Sequence, residues 1–174
     1  HNSYDATGFL TSTVQTHANG SLAFQFTETT GGTKTTDYYD ANGVITTETV
    51  QRADGYYSTA LYTGGVETQA YIQNADHTQD NWTYQITGQD YTTQHQHLDA
   101  TGKVVSVTRT HADGSLEYTE VNNSDGSSAV DNYNATGVLM VETDTHAGGS
   151  KDVYLYNITG QAYTTEHDSY DSTG

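Results

Sequence analysis

Turns recur along this chain at a cadence that leaves room for short strands and for nothing longer. Five segments share one pattern: Tyr4-Asp5-Ala6-Thr7-Gly8, Tyr39-Asp40-Ala41-Asn42-Gly43, Leu98-Asp99-Ala100-Thr101-Gly102, Tyr133-Asn134-Ala135-Thr136-Gly137 and Tyr170-Asp171-Ser172-Thr173-Gly174. A second pattern follows thirteen residues after each of the first four, at His17-Ala18-Asn19-Gly20, Arg52-Ala53-Asp54-Gly55, His111-Ala112-Asp113-Gly114 and His146-Ala147-Gly148-Gly149. Asn74-Ala75-Asp76-His77 is a degenerate fifth copy, and looser turn signals fall between at Gly31-Gly32, Gly64-Gly65, Thr87-Gly88, Asp125-Gly126 and Thr159-Gly160. A turn thus arrives every 10 to 14 residues. Asn-Gly, Asp-Gly and Gly-Gly tolerate the positive φ that tight hairpins demand. Between them the residues alternate: Leu22, Phe24 and Phe26 share one face, as do Trp82, Tyr84 and Ile86, and Leu139 and Val141. Period two means strand, and no helical stripe competes with it.

A longer repeat selects among all-β folds. Residues 4–55 align with 98–149 at an offset of 94, and 74–102 align with 146–174 at an offset of 72. The difference of 22 residues is two strand units, so the first half carries one extra hairpin near 52–73. Two added strands would spoil the stacking of a triangular solenoid, whereas an antiparallel meander accepts them without changing direction. The expected fold is therefore an all-β antiparallel meander of short strands, as an elongated twisted sheet, an open barrel or a sandwich. Residues 1–97 form the first repeat unit, with the extra hairpin, and 98–174 the second.

Composition narrows the function classes. Only 26 of 174 residues are Leu, Ile, Val or Phe, and the net charge is −17. Those values border on disorder, but 15 Tyr and abundant Thr favour strands, so the expectation is ordered structure with a thin core. Five Lys and Arg cannot meet a nucleic-acid backbone, and anionic membranes repel such a chain. No run approaches a transmembrane span, so no membrane insertion is expected. Without cysteine there is neither a disulfide framework nor a thiolate metal site. His1 follows no secretory signal, which reads as a mature or excised piece.

Oxygen-rich turns are the first candidate site. Asp5, Asp40, Asp99 and Asp171 occupy one turn type and Asp54 and Asp113 the other, and carboxylates beside tight glycine bends suit calcium. Asp before a turn is also ordinary turn chemistry, so both readings stand. His95 and His97, two apart beside Asp99, could ligate zinc or nickel, but the second half has Ser169 where His97 would recur. His17, His111 and His146 share a position that Arg52 takes in another copy, which points to a polar role at strand ends.

Aromatic strands are the second candidate. Trp82 and Tyr84, and in the equivalent strand Tyr154 and Tyr156, present flat apolar faces with polar tips, and Tyr91 and Tyr163 follow each pair. Such rings stack on sugars; in a chain poor in aliphatics they also serve as core. Thr-x-Thr strands have inexact spacing and do not form an ice-binding array. Serines sit in turns without a nucleophile elbow, and carboxylates are periodic where an active site should break the repeat, so the chain is not expected to be an enzyme.

The Tyr-Asp-x-x-Gly signature, followed by Leu10, Ile45, Val104 or Leu139, resembles the YD repeats of Rhs-type bacterial surface proteins. The combination of Tyr-Asp-Ala-Thr-Gly, His-Ala-Asp-Gly-Ser and Tyr-Thr-Thr-Glu-His-Asp is similar to repeats of large secreted proteins of rhizobia and related bacteria, and within them to the cadherin-like domains of the rhizobial adhering (Rap) proteins. That resemblance implies a secreted, calcium-binding, lectin-like module that recognises an acidic exopolysaccharide in adhesion or biofilm matrix. At −17 the chain would repel such a glycan unless calcium bridges the two. The alternative is a passive spacer repeat of a large adhesin or secreted enzyme. An exposed terminal strand could also pair end to end with a second copy.

Overall fold

In a computed structural model that describes residues 1–173, the chain is all-β, and strand order follows chain order without a crossover. Gly174, the last residue of the fifth turn copy and of the second repeat unit, lies outside the described residues. The chain divides into two compact units, His1–Tyr84 and Gln85–Gly174. The first carries β1 (Asn2–Tyr4), β2 (Leu10–Thr16), β3 (Leu22–Glu28), β4 (Lys34–Tyr39), β5 (Ile45–Gln51), β6 (Tyr57–Thr63), β7 (Val66–Gln73) and β8 (Gln79–Thr83). The second carries β9 (Thr93–Leu98), β10 (Val104–Thr110), β11 (Leu116–Asn122), β12 (Ser128–Tyr133), β13 (Leu139–Thr145), β14 (Lys151–Leu155) and β15 (Glu166–Tyr170). The division falls before β9, whereas the boundary at 97/98 read from the repeat cuts within that strand. The hairpin β6–β7 occupies the stretch that the repeat marks as extra.

Within each unit every strand pairs antiparallel with its chain neighbours. Among the described residues no strand comes within 8 Å, Cα to Cα, of any strand other than those neighbours. Each unit is therefore an open meander sheet not closed into a barrel, and its side chains are too little buried to form the core of a sandwich. The reason is compositional: a second layer would need two apolar faces, and the strands carry Thr, Gln and Asn on both. Among the described residues only Val107, at 6% exposure, is a buried hydrophobic residue. It sits in a row of facing residues Gln96–Val107–Glu120–Val130–Thr143–Val153.

Turns fix the register. In the first four copies of the first pattern the second residue's backbone N–H bonds the carbonyl four residues on, and the glycine N–H bonds back, as in Asp5 N to Phe9 O at 2.9 Å and Gly8 N to Asp5 O at 3.1 Å. This is a type I turn closed by a left-handed residue; Gly8 has φ +85°. The second pattern closes the same way, at His17 N to Ser21 O and Gly20 N to His17 O.

Candidate functional site

Asp5, Asp40, Asp54, Asp99, Asp113 and Asp171 are each used by their own turn. Asp5 Oδ1 accepts from Thr7 N at 2.8 Å, Thr7 Oγ1 at 2.6 Å and Phe9 N at 2.9 Å. Asp40, Asp99 and Asp171 repeat the pattern at Asn42 and Val44, Thr101 and Lys103, and Thr173. Asp54 and Asp113 act from the third turn position, on Tyr56 N at 3.0 Å and Ser115 N at 2.9 Å. The Thr7 hydroxyl, then the turn amides, hold Asp5 below the usual carboxylate range; Ser115 does the same for Asp113. Asn134 makes the same three bonds, to Thr136 N, Thr136 Oγ1 and Val138 N, without a charge. The lock thus needs a carbonyl-type oxygen, not an anion. The six aspartates stand on separate turns. Among the described residues no three His, Asp or Glu side chains come together as a metal-holding group.

The histidines at strand ends bridge turns. His17 Nε2 lies 2.8 Å from Asp40 O, and His111 Nε2 lies 3.3 Å from Asn134 O, the equivalent carbonyl. His146 differs: it meets Asp152 at 2.7 Å, and Asp152 also meets His167 at 3.0 Å and accepts from Ser169 Oγ at 2.5 Å. Ser169, then both histidines, hold Asp152 far below the usual carboxylate range. A nucleophilic relay places imidazole between hydroxyl and carboxylate. Here the hydroxyl donates straight to the carboxylate, and the one nitrogen His167 Nε2 faces both Asp152 and, at 3.3 Å, Ser169 Oγ, so the imidazole does not stand between them and the group ties β14 to β15.

Alternation and register sort the aromatics. In the first unit Trp82 and Tyr84 stack at 6.0 Å with planes 9° apart. Trp82 heads the facing row Asp37–Glu48–Ala60–Ala70–Trp82 that crosses β4 to β8. Tyr39 donates to Asp37 Oδ2 at 3.5 Å, and Tyr62 lies opposite Glu67. Burial raises Asp37, and burial followed by the Asp37 and Glu67 charges raises Glu48. Like carboxylates directly opposite are unfavourable in a sheet. The second unit repeats the pair as Asp131 opposite Glu142, with Tyr133 on Asp131 at 3.3 Å. There Tyr154 lies directly opposite Glu142 and stacks on His167 at 4.4 Å, while Tyr156 donates to Glu142 at 2.7 Å. That bond pushes Tyr156 up to about 12.

Tyr91 and Tyr163 belong to the other face. Arg109 lies between the rings of Tyr91, 4.8 Å away, and Tyr118, 4.7 Å away. Tyr163 donates to Glu166 at 3.4 Å. Glu166 and Arg109 share the facing row Arg109–Tyr118–Asn132–Val141–Leu155–Glu166. The six aromatics therefore do not form one platform: Tyr154 and Tyr156 meet Glu142 directly, Trp82 and Tyr84 share a face with the Asp37–Glu48 pair across the intervening β6 and β7, and Tyr91 and Tyr163 lie apart. Each aromatic strand is followed two residues on by a left-handed residue, Gln85 at φ +56° and Asn157 at φ +54°, so the backbone breaks at the same point of the repeat.

The acid pairs were missed in sequence. Asp37-x-Tyr39 and Asp131-x-Tyr133 recur at the 94-residue offset, which is a usable signal. What made them a site is the cross-strand partner, which only register supplies. No family model matches the chain, and no curated protein is significantly similar to it.

Proposed function

We propose that the chain is a non-catalytic, extracellular polysaccharide-binding module whose aromatic strands contact sugar rings. The observation that carries this reading is the near-parallel Trp82–Tyr84 pair on an open sheet face beside carboxylates. Parallel rings offer an apolar platform, and carboxylates accept hydrogen bonds from sugar hydroxyls. The direct Ser169–Asp152 bond supports a non-catalytic role. On this reading an acidic exopolysaccharide in a biofilm matrix is held only with calcium between it and the protein, because the face that bears the rings bears anions.

The test is isothermal titration of the intact chain against neutral, acidic and amino-bearing polysaccharides, with and without calcium. The expected result is binding to at least one class that Trp82→Ala weakens about five- to tenfold, the worth of one aromatic stack. No binding to any class, with or without calcium, overturns the proposal. A spacer would then be the better reading, supported by strands that touch only their chain neighbours.

A further inference from the structure

The two units differ at one place, and the difference opens a site. In the second unit the acid pair on β12 and β13 adjoins the aromatic strand β14 directly, and Tyr156 closes onto Glu142. In the first unit the inserted hairpin β6–β7 separates the acid pair on β4 and β5 from the aromatic strand β8. Between Glu48 and Trp82 the facing row offers only Ala60 and Ala70, two methyl groups. Three strand spacings of about 4.8 Å make this low stretch roughly 14 Å wide, enough for sugar rings lying on the sheet. Glu48 and Trp82 stand at its ends, and Tyr62 and Glu67 occupy the next positions along β6 and β7.

The charge of this face selects the occupant. Asp37, Glu48, Glu67 and Asp80 all stand on it by alternation and register. The one strand-borne cation of the unit, Lys34, alternates onto the opposite face, where it pairs with Glu28 at 3.8 Å. A neutral sugar would leave these carboxylates crowded against one another, and a uronate would add to the repulsion. A protonated amine supplies the countercharge to Glu48 and Glu67, and its carbon skeleton suits the rings.

Resting on the polysaccharide-binding reading, we infer that the alanine-floored stretch between Glu48 and Trp82 is the ligand site and that its ligand is a polysaccharide whose sugars carry free amino groups. The hairpin β6–β7 exists in one unit alone because it makes room for that chain.

The experiment titrates the intact protein with fully deacetylated glucosamine oligomers, with N-acetylated oligomers of the same length, and with polygalacturonate in the presence of calcium, at ~0.15 M salt. Ala70→Leu fills the floor without changing charge, Glu48→Gln removes one acceptor charge, and Glu28→Gln removes a charge from the opposite face. Amide spectra check that each variant keeps its fold, and Ala60→Leu replaces Ala70→Leu if the latter does not. The expected result is that the amino oligomer binds best and that Ala70→Leu and Glu48→Gln each weaken it about tenfold, the worth of one charge-assisted contact. Glu28→Gln should change it less than about twofold, as expected for a surface charge outside the site. Equal weakening by all three charge and floor variants, or by none, shows non-specific attraction to an anionic protein and overturns the inference. Preference for the N-acetylated oligomer, or for polygalacturonate with calcium, overturns it while leaving polysaccharide binding intact. Binding to none overturns both.

Discussion

Asp37 and Glu48 face each other across β4 and β5 with raised pKa values, whereas Asp5, Asp40, Asp99, Asp113 and Asp125 in the turns have lowered ones. The two groups act on stability in opposite directions. A carboxyl raised by folding takes up its proton more readily folded than unfolded, so stability rises as pH falls from neutral through its folded value toward about 4. A carboxyl lowered by folding gives stability that is complete above about 4 and lost as pH falls through its depressed value. Thermal stability should therefore peak in mildly acidic solution, not at neutrality. Asp37→Asn should stabilise the protein at pH 7 by about 0.2–1 kcal/mol and flatten the rise on acidification, leaving the low-pH loss in place. Melting curves across pH for both proteins check this, and an unchanged rise in the variant would locate the strain elsewhere. The aromatic half of the candidate site was legible as a repeat, because Trp82 and Tyr84 recur as Tyr154 and Tyr156, although nothing in the repeat assigns those rings a ligand. The acidic half was not, since Asp37 and Glu48 are eleven residues apart in sequence and meet only through the bulged register of β4 with β5. Tyr91 and Tyr163 stand on the other face because they follow the break at Gln85 and Asn157, past which strand alternation no longer continues.

Turns are the elements that the chain specifies most tightly, and one copy lacks its lock. Asp113 Oδ1 holds Ser115 N at 2.9 Å and Ser115 Oγ at 2.7 Å, and Asp76 and Asp125 do the same for Thr78 and Ser127. The equivalent residue between β13 and β14 is Gly148, followed two residues on by Ser150. Gly148 is not in the left-handed region, and a Cβ there meets nothing within 4 Å. Gly148→Asp should therefore install the missing bonds and remove glycine's freedom from the unfolded chain, a gain of about 1 kcal/mol. Its neighbour behaves oppositely. Gly149 has φ +85°, with the Ser172 Cβ 3.5 Å from where its own would stand, so Gly149→Ala should cost about 1–2 kcal/mol. Urea unfolding of the two variants separates them by sign. Strand order and hairpin placement were legible because Gly and Asx residues mark each turn for a physical reason. The purpose of the charge at those turns was not legible: Asn134 shows that a neutral oxygen closes the same turn.

Across the molecule the consequence of open meander sheets is a core that hardly exists. Alternation told which residues share a face, but not whether a second layer covers that face, so sheet, open barrel and sandwich stood level in the sequence. The scarcity of aliphatics decided it, since among the described residues Val107 alone is a buried hydrophobic. Heat capacity reports this directly. Unfolding raises it by exposing apolar surface and lowers it by exposing polar surface. Half-exposed Thr, Gln, Asn and Tyr leave little apolar area to uncover and much backbone amide, so the two terms come closer to cancelling than in a globular domain. The heat-capacity change of unfolding should fall well below the ~12–15 cal/mol/K per residue of compact proteins. The stability curve is then broad and flat, with cold denaturation displaced far below the freezing point. Added salt should raise the melting temperature as well, because a net charge of −17 on open faces is screened as the Debye length shrinks to about 3 Å near 1 M. Calorimetry over a range of pH gives the heat capacity as the slope of enthalpy against melting temperature. A globular-average slope would mean that these faces are dry in solution, and therefore that something covers them.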